Sequence, residues 1–219
     1  MGRVLHVSWT DPEPSVIAQA VDALRAGGVA VVPTDTVYGV AQSVDANPQG
    51  AAGLFAIKRR PHDKAIPWLV ADERALDVYG ADVPSYARVL ARRFWPGGLT
   101  LVVRASSAVA PAYLGAGDTI ALRMPDSAPV LALAGALGCP LATTSANTSG
   151  QPAHDAFAGL ESRIVDEAAV ALDDGQPTHG TAASTVVVCT DPTMPSVARE
   201  GAIPTSLIME IASGAPTSR

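Results

Sequence analysis

Only two of this chain's fifteen basic residues are lysines, Lys58 and Lys64, and both lie in Lys58-Arg59-Arg60-Pro61-His62-Asp63-Lys64. A lysine ammonium is a compact, mobile charge with three donors, whereas a guanidinium is a planar fork, so the two play different parts at a phosphate. On a chain of net charge −6 this stretch is a local positive spot. That distribution suits a small polyanion such as a nucleotide better than a long nucleic-acid backbone, which needs an extended basic face. The same stretch also fits a solvated helix end with its cations on the C-terminal dipole.

Three polar segments complete the inventory. Thr34-Asp35-Thr36-Val37-Tyr38-Gly39 offers hydroxyls and a carboxylate to a small polar ligand, or closes a turn on itself with Asx and Ser/Thr bonds. Thr143-Thr144-Ser145-Ala146-Asn147-Thr148-Ser149-Gly150 carries five hydroxyls, one amide and no charge. Such a loop can wrap phosphate oxygens or serve as an ordinary cap. Gly180-Thr181-Ala182-Ala183-Ser184-Thr185 is similar. The sequence contains neither GxxxxGK[ST] nor a GxGxxG after a strand, no HExxH and no GxSxG. This argues against a P-loop, a histidine-built metal site and a serine hydrolase. Hydroxyls, amides and cations remain, an inventory suited to phosphoryl or nucleotidyl transfer, where placement and charge neutralisation dominate.

These segments need strands and helices to hold them. Pro14 with Val16, Ile17, Ala20, Val21 and Leu24 has helical spacing, and Gly27-Gly28 ends it. Val29 to Pro33 reads as a buried strand delivering residues 34–39 into a loop. Ala51–Lys58, Pro84–Phe94 and Pro129–Leu137 read as helices. Ala65–Val70, Leu99–Val103, Thr119–Arg123, Leu141–Thr144, Val170–Leu172 and Thr185–Cys189 read as strands. Arg59, Arg88, Arg92 and Arg93 are expected on the wet surface. Interspersed strands and helices with irregular connections predict an α/β domain with a mixed sheet.

Hydrophobic content of 48% with 16% charged residues supports a sizeable core over 219 residues. Cys139 and Cys189 lack CxxC spacing and read as buried free thiols in a reducing compartment. The N-terminus has no signal-peptide apolar stretch, and the longest uncharged run is broken by Pro129, Gly135, Gly138 and Pro140. A soluble cytoplasmic protein without membrane association is the expectation.

Taken in order, Pro33-Thr34-Asp35-Thr36-Val37-Tyr38-Gly39, the Lys58-Arg59-Arg60 KxR, Trp95-Pro96-Gly97-Gly98-Leu99-Thr100, Leu122-Arg123-Met124-Pro125-Asp126, Ser145-Ala146-Asn147-Thr148-Ser149-Gly150, Ser184-Thr185-Val186-Val187 and Arg199-Glu200-Gly201-Ala202-Ile203 resemble the YrdC-like threonylcarbamoyl-adenylate synthases. The resemblance covers about residues 15–205 and implies a single domain over 1–219 with a short C-terminal tail. It implies a YrdC-like twisted, open mixed sheet with flanking helices and a large concave cavity. It implies that L-threonine, bicarbonate and ATP give threonylcarbamoyl-AMP and pyrophosphate, with tRNA threonylcarbamoyl-transfer proteins acting downstream. ATP would enter with Mg²⁺ as substrate, with no prosthetic group and no metal held by protein side chains alone.

On the same resemblance Lys58, Arg60, Ser145 and Asn147 are the catalytic set. Lys64, Thr119 and Arg199 join them around ATP, and Thr36, Arg123, Thr143 and Ser184 form the threonine pocket. Arg123 is the fork for the amino acid's carboxylate. The chain departs from the family pattern at Lys64, where many relatives have asparagine, and at Leu69, where they have histidine. It also lacks the Ser-Pro-Thr tag around Ala153-His154-Asp155. Two competing readings are a YrdC-fold binder of nucleotide or double-stranded RNA without the reaction, and a carbamoyl-adenylate module of the hydrogenase-maturation type. The acidic charge balance tells against unaided RNA binding. The hydrogenase-maturation type carries acylphosphatase and zinc-finger-like segments, and this sequence has neither.

Overall fold

A computed structural model describes residues 2–59, 66–177, 180 and 182–214. Its strands form one mixed sheet in the order β1-β9-β2-β3-β8-β4-β7-β6-β10-β11, with β5 paired to β6. They are β1 (Arg3–His6), β2 (Ala30–Val32), β3 (Gly39–Ser43), β4 (Trp68–Leu69), β5 (Gly80–Ala81), β6 (Leu99–Ala105), β7 (Thr119–Arg123), β8 (Leu141–Ser145), β9 (Val170–Asp173), β10 (Thr185–Val188) and β11 (Ser196–Arg199). The sheet is open: β1 and β11 are its two ends.

Helices cover both faces. On one side lie α1 (Pro14–Arg25) and α5 (Ala128–Leu137), with Ile17, Val21 and Leu24 meeting Val130 and Leu133 over Val32, Leu141 and Leu172. On the other lie α2 (Ala52–Lys58), α3 (Ala75–Tyr79), α4 (Ser85–Phe94), α6 (Ser162–Glu167) and α7 (Thr205–Ser213). Their Leu54, Leu76, Leu90, Ile164 and Ile208 pack with Val31, Val40, Leu101 and Val187. Strand β2 shows why its sequence is continuously apolar. Val31 points to one cluster and Ala30 and Val32 to the other, so no position faces water. Each fully buried aliphatic side chain contributes about 1.5–3 kcal/mol.

Two helix ends are fixed by local chemistry. Pro14 opens α1 at its first position, and Gly27 follows its end at φ +84°, a left-handed conformation that glycine accepts without strain. Ser127 caps α5 by accepting from Val130 N at 3.4 Å and donates to Pro33 O at 2.9 Å. That second bond fastens the end of β2, where the 34–38 loop begins.

The sequence reading located most of the elements but missed several. The expected loop over 34–39 gives way at Gly39 to β3, which has no assignment from the sequence because Gly39, Gln42 and Ser43 do not look like a strand, yet all five of its residues are buried. Gln42 survives there because its amide donates to Gly27 O and Asn47 Oδ1 and its oxygen accepts from Leu54 N. Strands β1 and β11 are short and largely exposed, so only pairing with β9 and β10 reveals them. The strand expected over 65–70 reduces to Trp68–Leu69 among the described residues. Beyond residue 205, where a tail was expected, α7 packs on α4 with Ile208 and Ala212 buried.

Both cysteines are free and buried, as read from the sequence, and burial pushes the Cys189 thiol up to about 12. No helix among the described residues is long and apolar enough to cross a membrane.

Candidate functional site

Lys58, the last residue of α2, is 3% exposed, and its ammonium turns into the loop that follows β8. It donates to Ser145 O at 2.5 Å, Asn147 O at 2.8 Å and Asn147 Oδ1 at 3.0 Å. Ser145 Oγ lies 3.4 Å from the same nitrogen and donates to Asn147 Oδ1 at 2.5 Å. Asn147 Nδ2 donates in turn to Thr148 O and Gln151 O. A positive charge thus sits beneath a hydroxyl and an amide whose orientations are fixed.

The loop is also held from outside. Glu161, just before α6, accepts from Thr148 N and Thr148 Oγ1, both at 2.6 Å. Arg163 donates to Thr148 Oγ1 and to Ile57 O, while Ser149 N donates to Lys58 O. These bonds satisfy carbonyls at the end of α2, where a helix lacks internal partners. They tie that end to the 145–149 loop. The Glu161 carboxyl is held below its ordinary 4.5, first by the Thr148 hydroxyl, then by the Thr148 backbone N–H, with Arg163 adding to it. A carboxylate with a lowered value stabilises the fold above its unfolded value, and the contribution is lost as pH falls through the folded one. E161Q is therefore expected to be less stable than the unaltered protein at neutral pH. The difference should close as urea midpoints are followed down through about pH 4.5 and below.

A second cluster forms where β6 and β10 begin and β7 and β11 end, a common level fixed by Leu101↔Leu122, Thr185↔Leu99 and Val186↔Arg199. Arg123 is 7% exposed and donates from Nε to Gly97 O at 3.0 Å, from Nη1 to Thr36 Oγ1 at 2.9 Å and from Nη2 to Asp35 Oδ1 at 2.5 Å. Ser184 Oγ lies 2.9 Å from Thr100 Oγ1 and accepts from Arg199, which also donates to Ser184 O at 2.8 Å. Burial lowers the proton affinity of Arg123 and the Arg199 charge lowers it further, while Asp35 opposes both. Two cations therefore act on one spot. Close backbone approach is built in: a side chain on Gly201 would meet Ala183 O at 2.1 Å, and one on Gly180 would meet Asp35 O at 3.1 Å.

The 34–39 segment joins the clusters. Its front presents Asp35 and Thr36 to Arg123. Its rear accepts from Ala146 N at Tyr38 O and pairs Gly39 with Ser145. Thr34 Oγ1 donates to Val37 O, so the Thr36 hydroxyl donates to Thr34 and accepts from Arg123. Tyr38 donates to Asp174 Oδ1 at 2.6 Å; burial, then this bond, push its phenol well up.

Of the residues named from the sequence, Lys58, Ser145 and Asn147 meet in one cluster and Thr36, Arg123, Ser184 and Arg199 in the other. Arg60 and Lys64 lie outside the described residues. Thr143, one of the expected threonine contacts, is buried beneath Gly39, its hydroxyl donating to Leu141 O. Thr119 stands at the far end of β7 from Arg123 and bonds Ala116 O. Leu69 packs with Val130, Leu133 and Leu141, so this position is core here. Sequence reasoning missed Glu161, Arg163 and Asp174, and it named Asp35 only as part of a polar loop and Thr100 only as part of a tag and a strand. Asp35 could have been found from its place beside Thr36; the others carry no local signal. Among the described residues no three His, Cys, Asp or Glu side chains could hold a metal ion. The donor set fits anions.

Comparison with known proteins gives the same outline. The Sua5_yciO_yrdC family model, described as "Telomere recombination", matches residues 22–201. The threonylcarbamoyl-AMP synthase of Bacillus subtilis is 36% identical over 207 residues, 90% of this chain and 56% of its own. A Mycobacterium leprae relative is 36% identical over 219 residues, 100% of this chain and 97% of its own. The crystal structure of Pyrococcus abyssi Sua5 complexed with L-threonine matches with a TM-score of 0.84 at 30% identity, over 97% of this chain and 61% of that one. Escherichia coli YciO matches with a TM-score of 0.81 at 26% identity, over 92% and 97%. The chain thus spans little more than half the length of some relatives and nearly all of others. A family match that runs from α1 past β11 takes in both clusters and the segment between them, and the chain belongs to the Sua5/YciO/YrdC family.

Proposed function

We propose that this protein is an L-threonylcarbamoyladenylate synthase, a nucleotidyltransferase that converts L-threonine, bicarbonate and ATP to threonylcarbamoyl-AMP, pyrophosphate and water. The observation that carries the reading is the Lys58 ammonium under Ser145 and Asn147, joined through the 34–39 segment to the Arg123 and Arg199 cluster. One cluster suits phosphate oxygens and the other an amino acid's carboxylate. The relatives named threonylcarbamoyl-AMP synthase and the Sua5 complex with L-threonine support the same assignment.

In this reading the threonine amine and bicarbonate or dissolved CO2 form a carbamate, whose oxygen attacks the α-phosphorus as pyrophosphate leaves. Mg²⁺ arrives on ATP as part of the substrate. Once the nucleotide is bound, with Ser145 Oγ turned from Asn147 Oδ1 to a phosphate oxygen, that hydroxyl and the Lys58 charge beneath it are fixed. Such fixed donors stabilise developing charge without reorganising during the reaction. Arg60 and Lys64 add positive charge from the adjoining basic stretch. Arg199 serves the nucleotide. Arg123 holds threonine's carboxylate, helped by Thr36 and Ser184. The product passes to tRNA threonylcarbamoyl-transfer proteins in the cytoplasm.

Incubation with ATP, Mg²⁺, bicarbonate and radiolabelled L-threonine tests the reaction. Pyrophosphate release should require both threonine and bicarbonate, with label appearing in an adenylate. Release indifferent to threonine would assign another substrate. Tight duplex-RNA binding without turnover would replace the enzyme with a binding module.

A further inference from the structure

We propose that Asp35 and Arg123 together form a receptor for an α-amino-acid zwitterion, with Asp35 taking the ammonium group. This deepens the function proposed above and rests on threonine being the substrate. Arg123 carries five N–H groups and uses three of them on Gly97 O, Thr36 Oγ1 and Asp35 Oδ1. One hydrogen on each terminal nitrogen has no partner among the described residues. Asp35 engages Arg123 through Oδ1 alone, so Oδ2 keeps its lone pairs. That oxygen is not sealed in: the orphaned, fully buried side-chain atom among the described residues is Trp68 Nε1. The Asp35 side chain is 16% exposed against 8% for Arg123. The carboxylate is therefore the more open end of the pair.

Both groups are held in place. The Thr36 hydroxyl, oriented by Thr34, accepts from Arg123, and Gly180 lies against the backbone of Asp35 and Thr36. A carboxylate arriving on Arg123 would meet repulsion from Asp35 unless it brought a positive charge with it. An α-amino acid does so, with its ammonium one carbon away. The pair is thus matched to a zwitterion and discriminates against an acid lacking the amine. Asp35 is a binding and specificity residue in this scheme. It holds the amine beside the carboxylate until the ammonium gives its proton to bicarbonate, releasing water and CO2, and the free amine then adds to CO2 to form the carbamate, with one proton lost to solvent.

The test is calorimetric binding of L-threonine and of its α-hydroxy analogue, which keeps the carboxylate and side chain but replaces the ammonium. The unaltered protein should prefer threonine on the order of 10–100-fold, the worth of a charge-assisted hydrogen bond. In Asp35→Asn, which retains an oxygen for Arg123, that preference should fall to about threefold or less, while binding of a non-hydrolysable ATP analogue stays unchanged. Threonine binding with an undiminished preference in D35N overturns the proposal and leaves the synthase reading standing. Absence of threonine binding by the unaltered protein removes both. If D35N does not fold, two measurements still decide. D35E keeps the charge but displaces the carboxylate and must reduce the preference, and equal affinity of the unaltered protein for the two ligands overturns the assignment by itself.

Discussion

Replacing Lys58 by methionine is expected to lower threonine-dependent pyrophosphate release by about 10²–10³-fold, the usual loss when a fixed electrostatic donor is removed. Methionine fills much of the same volume, so the change isolates the ammonium. Without it Ser145 O, Asn147 O and Asn147 Oδ1 lose a donor at once. Water reaches such a site poorly, because Lys58 is 3% exposed. The fold should therefore lose about 2–4 kcal/mol, measured by urea denaturation. K58R should not rescue activity: a planar fork cannot direct three hydrogens at three converging oxygens. An activity loss far beyond the stability loss, with the protein still folded at the assay temperature, is the expected signature. Unchanged turnover in K58M would remove the ammonium from the mechanism.

Replacing Arg123 by alanine should cost about 3–5 kcal/mol, because Asp35 is left with its charge and without the cation that compensates it. The same change should reduce kcat/KM for threonine by about 10²-fold or more, since the carboxylate fork is gone. The double variant R123A/D35A separates the two effects. Removing both partners leaves no uncompensated charge, so much of the stability should return while threonine use does not. Recovery of both together would make the pair a structural element only. Chemical denaturation and steady-state kinetics at saturating ATP provide the two readouts.

What could be read from the sequence divides by the range of the interactions involved. Helix α1 announced itself through the spacing of Ile17, Val21 and Leu24 and the glycines after it. Strand β2 did so through an apolar run buried on both faces. The site residues were found because they stand in short tags, and the tags fixed their identity better than their contacts. Lys58 was expected to face phosphates. Its hydrogens meet loop oxygens 87 and 89 residues away, a partnership that no local pattern records. Arg123 was expected to present a free fork, yet Asp35 occupies part of it from 88 residues away. Glu161 and Arg163 were missed because their function is to brace a loop reached only through the folded chain. Strand β3 was missed because burial of Gln42 becomes tolerable only once Gly27, Asn47 and Leu54 surround it.

The neighbouring places of β3 and β8 in the sheet bear on how competence appears in time. These strands come from opposite halves of the sequence, and each cluster is closed by a contact between those halves. A nascent polypeptide that has emerged only as far as α4 can make its first helices and the β2–β3 hairpin. It cannot assemble a partial catalytic centre. Such remote closures place the fold among slowly maturing topologies. Enzymatic capability should therefore arrive late, once the Ser145 end of β8 has docked against Gly39 and β10 and β11 have brought Ser184 and Arg199 beside β6.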